Sequence, residues 1–191
     1  NNPTVTFTVS AADPIGLYDA TLYIGTPEQV ATFSGPVETD DAQISGDAPN
    51  SNYGSSISIN VDGLSPHAHA VIKFPNLIGS GSGQVPLDAT VVSATLQVNC
   101  TNLGAMMEVY RLTSDWDEGT VTWNNPWTIP GGDYDPAIVV NGDCTATGLR
   151  TIDITEFVQA WSGGTANYGI LLADSGGTDG IDFDTSESGN P

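Results

Sequence analysis

Positively charged residues are almost absent from this sequence. Lys73, Arg111 and Arg150 are the only three basic residues, against 23 acidic ones, and the formal net charge is −20 over 191 residues. Nucleic acids and anionic membrane surfaces are bound through clusters of Lys and Arg. The composition therefore excludes those partners, and it argues against polyanionic glycans, which an acidic surface repels.

The sequence also has no long apolar run. A membrane-spanning helix needs roughly 20 consecutive apolar residues, and the longest apolar runs here are a handful of residues. We therefore expect no membrane insertion. The chain opens on Asn1-Asn2-Pro3 without a leader pattern, and we expect a mature product or fragment of a secreted or cell-surface protein.

Cysteine and histidine are scarce as well, with two of each. Cys100 and Cys144 lie far apart, which is a poor arrangement for zinc, and in a secreted β-protein they predict one disulfide. His67 and His69 flank one alanine and are expected to be ordinary surface histidines. No Ser, Cys or His spacing suggests a nucleophile with its base, so we predict no enzymatic activity.

Turn-forming residues, in contrast, are abundant, with 22 Gly and 12 Pro. This composition is typical of short strands joined by many turns, and it predicts an all-β protein. Strict alternation over Thr4–Ser10 predicts a half-buried strand with Val5, Phe7 and Val9 on one face. Further strands are predicted in the segments 20–24, 29–33, 57–61, 69–74, 88–99, 106–112, 138–140, 149–152, 169–173 and 181–184, whereas the polar stretch 38–56 reads as turns.

A single short helix is predicted at about residues 153–162. Phe157, Val158 and Trp161 have helical spacing there, Thr155 is a candidate N-cap, and Gly163-Gly164 ends the segment.

From about Asp40 onward the order of motifs resembles the DNRLRE, or disaggregatase-related, domains of microbial surface proteins, which are also classified among carbohydrate-binding modules. The resemblance implies a jelly-roll β-sandwich of two antiparallel sheets, outside the cell and without catalysis, with Trp123 and Trp161 as core residues. The matching pieces are Asp41-Ala42, Asn52-Tyr53-Gly54-Ser55, Ala70–Phe74, Val92–Leu96, Trp116–Pro126, Ile152–Thr155, Val158–Trp161, Asn167–Leu172, Phe183 and Ser186-Glu187-Ser188.

The resemblance divides the chain into an N-terminal strand segment, residues 1–37, and a sandwich domain, residues 38–191. In the family the Ser-Glu motif is followed by a closing strand, which is missing here, while the opening segment Thr4–Ser10 looks like that strand. This arrangement predicts donation of Val5, Phe7 and Val9 to a neighbouring copy or repeat. Two alternatives stay open: the strand folds back into its own domain, or it forms a small separate sheet.

Acidic loops suggest structural calcium, which binds carboxylate, amide and carbonyl oxygens. The alternatives are adaptation to high salt or a merely solvated surface. Two groups of candidate ligands are predicted, neither with EF-hand spacing: Glu38, Asp40, Asp41 and Asp47 in the first, and Asp174, Asp179, Asp182 and Asp184 in the second.

Trp116 and Trp127 border an aromatic loop that is a candidate platform for sugar rings. Asn99-Cys100-Thr101 fits the N-glycosylation pattern, although a Cys in the middle position weakens it. Two functions compete. The first is a structural or adhesive repeat of a surface filament that assembles with copies of itself, and the second is a carbohydrate-binding module of a secreted multidomain enzyme, with neutral glycans as its partners.

Overall fold

Two antiparallel β-sheets pack face to face in the computed structural model, which describes residues 30–64, 67–104, 106–174 and 179–188. The helix α1 spans Thr155–Ser162, and a 3-10 turn at Ser186–Ser188 follows the last strand. The strands in chain order are β1 (Asp40–Ser45), β2 (Ser58–Val61), β3 (Ala68–Lys73), β4 (Thr95–Asn102), β5 (Met106–Leu112), β6 (Tyr134–Asp143), β7 (Gly148–Asp153), β8 (Ile170–Asp174) and β9 (Ile181–Asp184).

One sheet has five strands in the order β1, β3, β8, β5, β6, and the other has four in the order β2, β9, β4, β7. All of the paired strands are antiparallel. The expected all-β sandwich of two antiparallel sheets with one short helix is therefore confirmed.

The main hydrophobic core lies between the two sheets. Ala70 and Ile72 of β3 meet Ile59 and Val61 of β2 there, because alternate residues of a strand point to the same face. Helix α1 adds three further buried side chains to this core, those of Phe157, Val158 and Trp161.

The predicted disulfide between Cys100 and Cys144 is confirmed. Cys100 lies on β4 of the four-stranded sheet, and Cys144 directly follows β6 of the five-stranded sheet. Both are buried, with 1% and 0% exposure. The bond therefore joins the two sheets across the core.

A second, smaller core covers the outer face of the five-stranded sheet. The long connection between β5 and β6, residues 113–133, folds back over that face. Its residues Trp116, Val121 and Trp127 pack on the outward-facing side chains of the sheet, which are Ala42, Ile44, Val71, Leu112 and Leu171. The described part of the chain therefore has three layers: the two sheets and this connection.

Several element boundaries differ from the predicted ones. Strand β1 lies in a stretch that was predicted as turns, and residues 30–33, predicted as part of a strand, form none. Strand β4 begins at Thr95 rather than near residue 88. Thr155 is the first helical residue rather than the N-cap, and Asp153 Oδ1 accepts bonds from its backbone N–H at 2.9 Å and its hydroxyl at 2.6 Å.

The predicted donor residues Val5, Phe7 and Val9 lie outside the described residues, so strand donation stays a prediction. Within the described residues the strands of each sheet are continuously hydrogen-bonded, and the unpaired edges are those of β1, β6, β2 and β7. A donated strand would have to add to one of these edges. Among the described residues no helix is long and apolar enough to cross a membrane.

Candidate functional sites

Three carboxylates from distant parts of the chain meet at one point, and we call them the carboxylate cluster. Asp41 lies on β1, Glu118 in the connection between β5 and β6, and Glu187 in the final 3-10 turn. Ligand oxygens of all three lie within 4.8 Å of one another. Strand pairing and the folding back of the connection bring these residues together.

Hydrogen bonds fix the orientation of the carboxylate cluster. The backbone N–H of Asp41 donates to Glu118 Oε1 at 2.8 Å, and the backbone N–H of Ser186 donates to Asp41 Oδ2 at 2.9 Å. The Ser186 hydroxyl donates to Glu187 Oε1 at 2.9 Å. Each acid is therefore held through one of its two oxygens.

The remaining oxygens include two that are buried and unpartnered, Asp41 Oδ1 and Glu187 Oε2. Asp41 as a whole is only 4% exposed. Burial raises the pKa of Asp41 to about 6. Burial also raises the pKa of Glu118 to about 7, and the neighbouring charges of Glu187, Asp40 and Asp41 add to that increase. Three carboxylates at this spacing repel one another.

Asn52 supports Glu118 from the loop that follows β1. Its amide Nδ2 donates to the carbonyls of Glu118 at 2.7 Å and Val121 at 2.8 Å, and its Oδ1 accepts from Gly54 N–H at 3.3 Å. A Cβ on Gly54 would overlap the Glu118 backbone carbonyl. Only glycine permits this close approach, and the loop therefore holds Glu118 in place.

The only lysine near the cluster is engaged with other groups. Lys73 Nζ lies 3.5 Å from Asp40 Oδ2 and 3.2 Å from Asp115 Oδ1, and it donates to the Trp116 carbonyl at 2.6 Å. It also lies 4.9 Å from the centre of the Trp116 ring. With 8% exposure, Lys73 is a buried cation surrounded by its own partners.

Both arginines are also used elsewhere. Arg111 pairs with Asp135 at 2.8 Å, and Arg150 donates to the backbone carbonyls of Ala146 at 2.7 Å and Thr147 at 3.4 Å. Since the sequence holds only these three Lys and Arg residues, none of its Lys or Arg side chains is left to neutralise the carboxylate cluster.

The first predicted calcium group is not assembled as a unit. Asp41 joins the carboxylate cluster, but Asp40 pairs with Lys73, and Glu38 accepts a bond from Ser34 N–H at 3.0 Å. Asp47 lies exposed just beyond the end of β1. Asp41 therefore has Glu118 and Glu187 as neighbours rather than Glu38, Asp40 and Asp47, and the four predicted ligands do not form one group.

The second predicted group lies on and around β8 and β9. Asp182 accepts from the Asn60 amide at 2.8 Å, and Asp184 accepts from the Asn99 amide at 2.7 Å. Asp174 accepts from Gly63 N–H at 3.3 Å. Asp179 is exposed, and the loop before it, residues 175–178, lies outside the described residues. Calcium in this loop stays a prediction.

Trp116 and Trp127 do not form the predicted sugar platform. They are 4% and 6% exposed, because both rings are packed in the second core. Their ring N–H groups donate to the backbone carbonyls of Tyr168 and Thr122, each at 2.9 Å. Trp161, in contrast, is confirmed as a core residue with 2% exposure.

An exposed aromatic ring lies instead at the start of β6, where it lines a surface cleft of about 500 Å³ that we call the Tyr134 cleft. Tyr134 is 38% exposed, and its ring centre lies 4.5 Å from that of Tyr110. The cleft is lined by Thr113, Ser114, Thr128, Ile129, Gly132, Asp133, Tyr134 and Pro136. It therefore combines an aromatic face with hydroxyl groups and one carboxylate.

Asp133 is the charged group of the Tyr134 cleft. Its carboxylate accepts from Ser114 hydroxyl and Thr128 N–H, each at 2.8 Å, and from Ile129 N–H at 3.0 Å. Desolvation raises the pKa of Asp133, but these hydrogen bonds lower it by more, and the pKa lies below its ordinary value. Asp133 is therefore an ionised acceptor in a fixed orientation.

A second cleft of about 480 Å³ lies beside α1. It is lined by Val91, Val140, Asp153, Thr155, Glu156 and Gln159 and contains no aromatic residue. Gln159 spans its floor, accepting from Val91 N–H at 2.9 Å and donating to the Ala89 carbonyl at 3.1 Å. Neither cleft is lined by a member of the carboxylate cluster.

A two-sheet sandwich with shallow polar clefts at its surface is typical of β-sandwich binding modules. The chain belongs to carbohydrate-binding module family 96, whose family model matches residues 33–191. This confirms the carbohydrate-binding class to which the sequence resemblance points. A search of curated proteins found no match.

Glu118 and Glu187 are the site residues that the sequence reasoning missed. Both belong to motifs that carried the family resemblance, Trp116–Pro126 and Ser186-Glu187-Ser188. A prediction from single loops misses this cluster, because it takes one residue from each of three distant segments. Asp41, Glu118 and Glu187 each lie in a motif that carries the family resemblance, and this shared property could have pointed to them.

Proposed function

We propose that this protein binds neutral carbohydrate as a non-catalytic module outside the cell, and that the glycan occupies the Tyr134 cleft. The observation that carries the proposal is the exposed Tyr134 ring, set among hydroxyl groups and a carboxylate in a chain of this family. The disulfide is in keeping with an oxidising, extracellular location.

Tyr134 supplies the flat apolar surface on which a sugar ring stacks. Tyr110 lies behind it at 4.5 Å between ring centres, which limits the rotation of the Tyr134 ring. A ring that is already held loses little conformational entropy when a ligand packs on it. Tyrosine is well suited to this role because it is apolar on its face and polar at its tip.

The polar groups of the cleft supply orientation. Asp133 is held by hydrogen bonds from Ser114, Thr128 and Ile129, so its ionised carboxylate is a fixed acceptor toward which a sugar hydroxyl can be oriented. Thr113 and Thr128 add hydroxyls that both donate and accept. A few fixed polar groups beside an apolar surface are the usual composition of a small-ligand site.

The charge of the protein favours neutral glycans over anionic ones. The formal net charge is −20, and Arg111, the cation nearest in sequence to the cleft residues, is already paired with Asp135 at 2.8 Å. A carboxylated or sulfated polymer would meet Asp133 without a compensating cation, and it would be repelled at low salt.

Binding is tested by calorimetric titration with a panel of neutral oligosaccharides, such as gluco-, xylo-, manno- and chito-oligomers, and with anionic polymers in parallel. Tyr134→Ala should weaken binding by about tenfold or more through the lost stacking surface, and Tyr134→Phe should retain most of it. Leu149→Ala is the matched control, because Leu149 is 56% exposed on the opposite sheet.

Three results would contradict the proposal: binding to anionic polymers alone, no binding to any neutral glycan, or full binding by Tyr134→Ala. Thermal melting of each variant shows whether a loss of binding reflects a loss of fold.

A further inference from the structure

None of Asp41, Glu118 and Glu187, the three acids of the carboxylate cluster, lines the Tyr134 cleft. The cluster joins three segments that are 69 to 146 residues apart in the sequence. No Lys or Arg side chain of the chain is free to balance its charge, since Lys73, Arg111 and Arg150 have other partners. An uncompensated buried carboxylate is strongly destabilising.

Two carboxylate oxygens of the cluster accept no hydrogen bond. Asp41 Oδ1 and Glu187 Oε2 are fully buried and have no hydrogen-bond partner, while their sister oxygens are held by Ser186. Buried polar atoms in folded proteins almost always have a partner. The unpartnered pair belongs to acids whose ligand oxygens already lie within 4.8 Å of each other. The three acids therefore converge on one position, and two of them bring a buried oxygen without a hydrogen-bond partner, which a cation would satisfy.

We propose that Asp41, Glu118 and Glu187 together bind one Ca²⁺ ion per chain. The donor set is oxygen only, without Cys or His, which favours a hard cation over zinc or copper. Ca²⁺ accepts oxygen ligands at about 2.4 Å, so two ligands on opposite sides of the ion lie about 4.8 Å apart.

Magnesium fits this arrangement less well. Its ligand distances of about 2.1 Å demand a tighter and more regular shell. The three acids belong to a strand, a connection and a turn that are already fixed by bonds from Ser186 and Asn52. Contraction around a smaller ion would strain those bonds, whereas calcium tolerates irregular geometry.

The bound ion would link three parts of the fold. It would connect edge strand β1, the connection that covers the second core, and the closing 3-10 turn. The ion would thus stabilise the layer above the five-stranded sheet. Because it binds the folded chain only, its effect on the melting temperature should grow with Ca²⁺ concentration.

The test is equilibrium binding of Ca²⁺ to the full chain after treatment with chelator, together with thermal melting at several Ca²⁺ concentrations. The native protein should bind one ion at this site and melt at a higher temperature with Ca²⁺ than with chelator. Asp41→Asn, Glu118→Gln and Glu187→Gln should each weaken binding by about tenfold or more and reduce the shift in melting temperature.

Asp47→Asn is the matched control, since it removes an exposed acid near the end of the same strand without touching the cluster. It should bind and melt like the native chain. The amide variants relieve repulsion and are expected to fold without calcium, so a lost response is not a lost fold.

The proposal is overturned if Ca²⁺ does not raise the melting temperature of chelator-treated native protein, or if all three variants keep the full response. An equal response to Mg²⁺ at the same concentration would overturn the assignment to calcium. Loss of the Ca²⁺ response in Asp47→Asn alone would place the ion elsewhere. None of these outcomes depends on whether glycan binds at Tyr134.

Discussion

The sequence predicts that His69 is an ordinary surface histidine, whereas in the structure its side chain is half-buried. Its Nδ1 lies 2.8 Å from the Gly131 carbonyl, which fixes a proton on that nitrogen, and its ring centre lies 5.0 Å from that of Trp123. Burial lowers the pKa of His69 from its ordinary value of 6.5, and the nearby His67 lowers it further. The connection over β3 therefore covers part of a histidine that the sequence places at the surface.

The half-buried His69, with its lowered pKa, gives a pH prediction. Its folded pKa is lower than its unfolded pKa, so the unfolded chain binds more protons as the pH falls below about 6.5. Its stabilising effect is complete above that pH and is lost as the pH falls toward the folded value. His69→Gln should make the free energy of unfolding fall less between pH 7 and pH 5 than it does in the native chain.

Urea denaturation at stepped pH measures this difference. Other carboxylates titrate in both proteins, so only the difference between the two curves reports on His69. Identical pH dependence in the native chain and in His69→Gln would contradict the prediction.

At the scale of elements, β1 shows why one strand escaped prediction. Its inward positions are polar, since Asp41 enters the carboxylate cluster and Gln43 Oε1 accepts from Asn60 N–H at 2.9 Å. Its apolar residues Ala42 and Ile44 face the second core instead. Because β1 begins with two acids and has polar residues at its inward positions, its sequence resembles a loop. The acid that enters the carboxylate cluster is therefore one reason why the strand is not predicted.

Strands β4 and β6 also differ from their predicted bounds, each for its own reason. Val92, predicted within a strand, is 73% exposed, and Val91 N–H bonds to the Gln159 side chain beside α1. The β-branched residues before Thr95 therefore led to a predicted strand that begins too early. Strand β6 runs through Pro136 at a sheet edge, where a proline needs no partner for a missing N–H, and it is longer than predicted.

The disulfide is the element-scale feature with the clearest energetic consequence. It closes a loop with a sequence separation of 44 residues, and the chain-entropy account gives about 3–4 kcal/mol for such a loop. The double variant Cys100→Ala/Cys144→Ala should lower the free energy of unfolding by about that amount. Denaturant titration measures it, and the reduced native protein provides the comparison.

A loss of less than about 1 kcal/mol in the double variant would contradict the expectation that the bond constrains the unfolded chain. Both sulfur atoms are buried, so a reductant should also act faster in mild denaturant than in buffer. The reduced native protein, which keeps both side chains but lacks the bond, separates the covalent effect from the loss of two buried side chains.

At the scale of the molecule, the sequence was sufficient for the class of fold, the disulfide and the carbohydrate-binding class, because these depend on composition, alternation and motif order. It was insufficient for both candidate sites. The proposed stacking surface of Tyr134 depends on its packing against Tyr110. The rings of Trp116 and Trp127 are buried because the connection folds over the sheet, so they are not exposed to a sugar. The exposure of these aromatic rings depends on how the connection between β5 and β6 packs on the five-stranded sheet, and no local sequence pattern predicts that packing.

The bond between Asp41 and Ser186 has a mechanical consequence. It joins β1 to the final 3-10 turn, at 2.9 Å, and among the described strands β1 pairs only with β3. Tension applied between residues 40 and 188 would therefore load this contact and the β1 ladder before it reached the rest of the sandwich. In single-molecule pulling between these positions, Ca²⁺ should raise the force of the first rupture, and an unchanged force would contradict this. A module that binds both glycan and Ca²⁺ as proposed would carry tension between β1 and the final 3-10 turn through the bound ion, and loss of the ion would weaken that connection.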